Sequence, residues 1–213
     1  MVRKIVERVP EEVLQQDLEK YRQRAIELGA TDAKIITTDM ILIDERVRAK
    51  CIVPLCSDYG TSVNCPPHAI DLDLMREVVK NFQYAIFYMM RIPSQEMAGP
   101  EFRKKRLGAP SSIKHFEIAA KLESEAFYDG YYLAMAFAGG PCQPYLCPDK
   151  ECSALVPGQG CRHPYIARHS MEGAGMNAYL MAAKVGWDIY PIGRSILPSE
   201  VPYGTKLGLV LIY

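Results

Sequence analysis

Seven cysteines carry the reactive chemistry of this sequence, and all of them fall in two stretches. KCIVPLCSDYGTSVNCPPH sets out Cys51, Cys56 and Cys65 as C-x4-C-x8-C, and PCQPYLCPDKECSALVPGQGCRH sets out Cys142, Cys147, Cys152 and Cys161. Both stretches are punctuated by Pro and Gly and lack a hydrophobic period. Thiolates that must converge on one centre, a tetrahedral zinc or an iron–sulfur cluster, need such loops. Core cysteines would instead be scattered through apolar segments. Disulfides would need an oxidising compartment and would leave one of seven thiols over.

The C-x4-C steps, with Pro66 after Cys65 and Pro148 after Cys147, favour iron–sulfur over zinc, whose knuckles prefer tighter spacing. Four thiolates in the second loop match the four irons of a 4Fe-4S cluster. Three in the first loop do not, so a second cluster there takes a fourth ligand, for which His68 is nearest, or keeps one iron open. Alternatively the three join the other loop around a single cluster. Zinc stays as the alternative metal. Around the loops, Arg46, Arg48 and Lys50 precede Cys51, and Arg168, Ser170 and Glu172 follow Cys161. These residues balance cluster charge or move a proton in one reading, and face water or cap a helix in the other. No P-loop, G-x-G-x-x-G, H-E-x-x-H or G-x-S-x-G appears, so nucleotide and hydrolase chemistry lack support.

The elements that must position these loops are legible from period and punctuation. Leu14, Leu18, Tyr21, Ala25 and Leu28 between Pro10 and Gly29 predict an amphipathic helix over 11–28, followed by a strand at 33–38. Residues 41–51 read as a strand. Asp71 caps a helix from 72 to 82, and the apolar run QYAIFYMMRI is a central strand covered on both faces. Residues 93–111 form the longest connector; its basic run FRKKR at 102–106 reads as a solvated loop. Ser111 or Ser112 caps a helix to Asp129, and 131–138 is a strand. Ser170 caps a helix through Met171, Ala174, Ala178, Met181 and Val185, and WDIYPI and KLGLVLIY close as strands. Each half then reads helix, strand, Cys loop, helix, strand. The expected fold is α/β, with two internally duplicated halves, about 10–92 and 111–213, around a mixed sheet in one compact protein. The last three cysteines repeat the spacing of the first three at a shift of 96 positions, which agrees with that order.

Composition sets the bounds. With 213 residues, 49% apolar, the chain buries a sizeable core, and equal counts of 25 basic and 25 acidic residues give no field that selects nucleic acid or an anionic membrane. The first residues lack a signal-peptide core, and no stretch approaches the roughly 18 apolar residues of a membrane span. The expected setting is cytoplasmic, reducing and anaerobic.

The run CSDYGTSVNCPP together with GCRHPYIARHSMEGAGMNAYLMAAKVGW resembles an uncharacterised family of predicted metal-binding proteins found mainly in anaerobic bacteria and archaea. The likeness covers most of the chain and is most specific in C-x8-C-P-P at 56–67 and C-R-x-P-x-x-A-R-x-S-M-E at 161–172. The resemblance implies an iron–sulfur carrier and names no reaction. The chain departs from the family pattern at the C-x4-C step 142–147 and at Gly173 and Asn177, where a tighter step, Ala and Asp are expected. The leading expectation is an electron-transfer or cluster-carrying protein with one or two 4Fe-4S clusters and a redox protein partner. An enzyme with a three-Cys, open-iron cluster and a zinc interaction module are its rivals.

Overall fold

The computed structural model describes residues 2–213. Five strands, β1 (Asp32–Thr37), β2 (Tyr84–Ile92), β3 (Met135–Ala138), β4 (His169–Ser170) and β5 (Gly204–Leu211), form one mixed sheet in the order β1-β2-β5-β3-β4. All neighbours are antiparallel except β3 and β4. The helices are α1 (Glu11–Glu27), α2 (Glu45–Ala49), α3 (Leu72–Lys80), α4 (Phe102–Lys105), α5 (Pro110–Tyr128), α6 (Gln143–Leu146) and α7 (Ala178–Lys184). None of them is long and apolar enough to cross a membrane.

The continuous apolar run of β2 has the expected cause. Ile86, Tyr88 and Met90 face α1 and α5, and Ala85, Phe87 and Met89 face α3 and α7. The C-terminal strand β5 pairs beside it and splits its side chains in the same way, Val210 to one face and Leu209 and Leu211 to the other. Packing, more than capping, holds α1. Pro10 offers no side-chain cap, a loss of about 1 kcal/mol, but Leu14, Leu18 and Tyr21 are fully buried, and a buried side chain of this size contributes about 1.5–3 kcal/mol.

The helices on each face end or begin alike. After α1, Gly29 takes φ +111° and Ala30 N donates to Ala25 O at 2.9 Å; after α5, Gly130 takes φ +97° and Tyr131 N donates to Ala126 O at 3.0 Å. Asp71 caps α3 by accepting from the amides of Asp73 and Leu74, and Asn177 caps α7 by accepting from that of Leu180.

Several expected elements differ. Residues 41–51 contain α2 and not a strand, because Asp44 accepts from Arg46 N and starts a helical turn; only Ile43 makes a β-bridge, to Met176. Neither Ser111 nor Ser112 caps α5, whose first residue is Pro110 after Ala109. The strand expected at 131–138 begins only at Met135, since Tyr131 to Ala134 form a turn closed by Ala134 N to Tyr131 O at 2.9 Å. Ser170 lies in β4, and the last helix starts at Ala178. Met171 and Ala174 reach the core through turns, and Gly175, at φ +78° with Leu72 Cδ2 only 2.5 Å from where a Cβ would stand, could not be part of a helix. WDIYPI joins no strand. Trp187 instead stacks on Phe87 at 4.9 Å between ring centres and donates through Nε1 to Asp32 Oδ2 at 2.7 Å.

One detour brings the two cysteine loops together. After β1 the chain makes a turn at Thr38–Met40 and runs beside the segment before α7, with Asn177 N donating to Leu42 O and Asp44 N to Gly175 O, both at 2.8 Å. The first loop therefore does not leave a strand directly, as expected from sequence, but leaves α2 close to the second.

Candidate metal centre

The second loop is a set of short turns that begin or end on cysteines. The step from Cys142 to Cys147 is α6 itself, with Leu146 N bonded to Cys142 O at 2.9 Å and Cys147 N to Gln143 O at 2.8 Å. Gln143 Nε2 ties this turn to the next by donating to the carbonyls of Cys147 and Lys150 at 3.1 and 2.8 Å. Cys152 opens a 3-10 turn, and Ser153 Oγ closes its lobe on Gly160 O at 2.8 Å. The result is that Cys142, Cys147, Cys152 and Cys161 line one small, largely enclosed cavity, together with Asn64 and Ala167.

Cys51, Cys56 and Cys65 sit in the turns between α2 and α3. Cys51 N is bonded to Arg48 O and Cys56 N to Cys51 O, both at 3.0 Å, and Gly60 N reaches Pro66 O at 2.7 Å to close the lobe. His68 is exposed and holds Cys65 O through its own amide at 3.0 Å. Between Cys51 and Cys56 the apolar side chains Ile52, Val53 and Leu55 stand open to solvent.

Three sulfurs receive N–H donors. His163 N lies 3.3 Å from Cys161 Sγ, Asp58 N 3.5 Å from Cys56 Sγ, and Asn64 Nδ2 3.4 Å from Cys142 Sγ. Such donors favour thiolate and raise the reduction potential of a bound cluster. The Asn64 bond also joins the loops, since its residue belongs to the first and Cys142 to the second. Ser170 N to Asn64 O at 3.3 Å adds to the joint. Burial pushes the Cys65 thiol up to about 12, against the Ser62 hydroxyl, and raises Cys142 and Cys51 as well, with Cys142 next to Cys65 and Cys56 next to Cys51 adding to the rise. A metal held by these thiols would displace protons, so its affinity would rise with pH.

The flanking polar residues are placed differently from the sequence expectation. The last residue of the basic run is not solvated: the Arg106 guanidinium, 12% exposed, clasps Asp58 in a two-pronged pair at 2.8 and 2.7 Å. Glu172 caps no helix, and its carboxylate accepts from Gly140 N at 3.1 Å and Ser170 Oγ at 3.0 Å. Arg168 pairs with Glu123 of α5, and Arg46 with Asp44, so both have structural partners. Arg48 donates to Ile70 O at 2.6 Å. Asn64, Asp58 and Arg106 were not singled out from sequence. The first two lie inside C-x8-C, where their short polar side chains were the available signal; nothing local distinguishes Arg106 from its basic neighbours.

Among the described residues no three His, Cys, Asp or Glu side chains converge tightly enough to hold a single metal ion. A tetrahedral zinc with Zn–S near 2.3 Å needs sulfurs about 3.8 Å apart. A polynuclear cluster spreads its thiolates around a larger core.

Over residues 34–212 the sequence matches the family described as predicted metal-binding protein (DUF2284). The chain belongs to that family. No curated protein and no solved structure matches the chain. The family match spans both cysteine loops and every strand except the first two residues of β1.

Proposed function

We propose that the chain is an iron–sulfur protein in which Cys51, Cys56 and Cys65 of the first loop hold one, more labile centre and Cys142, Cys147, Cys152 and Cys161 of the second loop hold a second centre, a 4Fe-4S cluster. The observation that carries this reading is the single enclosed cavity lined by all four second-loop cysteines, one of which takes an amide donor and another a side-chain donor. A bound cluster would supply one-electron chemistry at low potential. The chain's own residues fix the thiolates, limit water at Cys142 and Cys65, both 6% exposed, and set the N–H donors. Electron transfer or cluster carrying in reducing cytoplasm is the role that fits, and the exposed Ile52, Val53 and Leu55 beside the first loop would meet a redox protein partner. Iron and acid-labile sulfide per chain, measured after anaerobic purification, test it. Four or more of each support it, and stoichiometric zinc without sulfide overturns it.

We infer further that the halves derive from one duplicated unit. In the order β1-β2-β5-β3 an antiparallel pair lies at the centre, and β1 and β3 flank it antiparallel, each following a helix on the same face. Gly29 and Gly130 end those helices in the same conformation, and Asp71 and Asn177 cap the helices of the other face. These equivalences fall 101 and 106 positions apart, so they lie near the cysteine shift of 96 but do not coincide with it. Superposition of 10–92 on 111–213 that fails to match α1 with α5 and β2 with β5 together would exclude a common unit.

A further inference from the structure

The connector between the halves reaches into the first cysteine loop at one point. Asp58 stands two residues after Cys56 and faces both ways. Its amide donates to Cys56 Sγ at 3.5 Å, and one carboxylate oxygen lies 3.9 Å from the same sulfur. Its two oxygens take both prongs of Arg106 at 2.7 and 2.8 Å. Arg106 follows α4 and lies 48 positions from Asp58 in the chain. Both side chains are nearly buried, at 12% and 10% exposure, and a pair so enclosed leaves an uncompensated charge when one member is removed. The backbone of the turn after Cys56 is held by Tyr59 N to Cys56 O at 3.1 Å, by Thr61 N and Oγ1 to Asp58 O at 3.2 and 2.8 Å, and by Gly60 N to Pro66 O at 2.7 Å, while Arg106 is the charged partner of the Asp58 carboxylate.

We propose that Arg106 is a positioning residue for the first-loop centre: through Asp58 it fixes the amide that faces the Cys56 sulfur and places a buried positive charge beside that centre. This rests on the reading of Cys51, Cys56 and Cys65 as ligands. The basic run then has one member with a task in the site. Removing the Arg106 charge lowers the reduction potential of the first centre and frees Cys56, while the second centre, whose cavity Arg106 does not line, keeps its properties.

The test compares the full-length, anaerobically purified chain with Arg106→Gln, Arg106→Lys and Asp58→Asn. Iron loss to a chelator, potentiometric titration followed by electron paramagnetic resonance, and alkylation of individual cysteines by iodoacetamide, read by mass spectrometry, are measured on each. The expected result for both Arg106→Gln and Asp58→Asn is at least tenfold faster loss of the first-loop iron and faster alkylation of Cys56 with Cys161 unchanged; the potential of that centre alone becomes more negative in Arg106→Gln, which removes the cation, and not in Asp58→Asn, which removes the carboxylate and keeps the cation. Arg106→Lys, which keeps the charge but not the two-pronged grip, should recover the potential more than the alkylation rate. Equal iron loss, potential and Cys56 alkylation in all four proteins overturns the proposal. If the parent holds no iron in the first loop, the ligand reading fails by itself; altered Cys56 alkylation then still supports the clasp, and unaltered alkylation overturns that too.

Discussion

Acidification should loosen the junction between β3 and the second cysteine loop through one residue, His115. It is fully buried on α5, its Nε2 accepts from Gly139 N at 2.8 Å, and among the described residues its Nδ1 has no hydrogen-bond partner. Tyr88 and Phe116 surround the ring at 5.4 and 5.9 Å between centres. Burial, helped by the nearby Lys206 charge, depresses its pKa from 6.5 to about 3. The unfolded chain therefore binds this proton between about pH 3 and 6.5 and the folded chain does not. Stability from this residue is complete above the unfolded pKa and is lost as pH falls below it. Linkage between those two values gives a loss of about 2 kcal/mol at pH 5 relative to pH 8. The assay is urea unfolding at the two pH values for the parent and for His115→Gln, whose amide oxygen can still accept from Gly139 N but does not titrate. Subtracting the two proteins removes the contributions of carboxylates and thiols that both share. A pH effect within 0.5 kcal/mol of the same size in both, against the ~2 kcal/mol difference expected, refutes the assignment.

Other outcomes are equally definite. Gly208→Ala places a Cβ 2.3 Å from the Tyr88 ring, which is fixed by its hydroxyl on His115 O, so the urea midpoint should fall by about 2 kcal/mol equivalent; an unchanged midpoint would show that the ring can yield. Lys206 is 8% exposed and has its Nζ 4.9 Å from the Tyr145 ring centre, with burial lowering its pKa to about 8. Its buried charge costs stability below about pH 8, a cost relieved as pH rises toward the unfolded value of 10.5. Lys206→Met should therefore stabilise the chain at pH 7 by about 1–2 kcal/mol after the lost cation–π contact is deducted, and a destabilised variant counts against this. Asn64→Ala removes the donor to Cys142 Sγ and should shift the second centre to a more negative potential, which redox titration reads directly; equal potentials would mean the contact carries no electrostatic weight.

What the sequence disclosed and what it withheld divide along physical lines. Leu14, Leu18 and Tyr21 keep a local period because a single helix face satisfies them, and Ala85 to Met90 read as a central strand because both faces are covered. The error over 171–185 had the same root. Met171, Ala174, Ala178 and Met181 are all buried at helical spacing, yet Gly173 and Gly175 turn the backbone, so burial was read correctly and conformation was not. Trp187 looked like strand material but serves as a plug against Phe87. At the site, cysteine spacing marked the two loops. It said nothing of Asn64 on Cys142 or Arg106 on Asp58, because those contacts depend on where the detour after β1 delivers the first loop.

The place of β5 in the sheet has a consequence for biosynthesis. It comes fifth of the five strands in chain order, and it lies between β2 and β3, contributing Val210 to one core and Leu209 and Leu211 to the other. All seven cysteines have been translated before its first residue, Gly204. Until residues 204–211 leave the ribosome, β3 lacks its antiparallel partner and has only the two-residue β4 beside it. Closure of the sheet that carries the second cysteine loop therefore waits on residues 204–211, so the geometry around Cys142 to Cys161 is set only after all seven cysteines have been made.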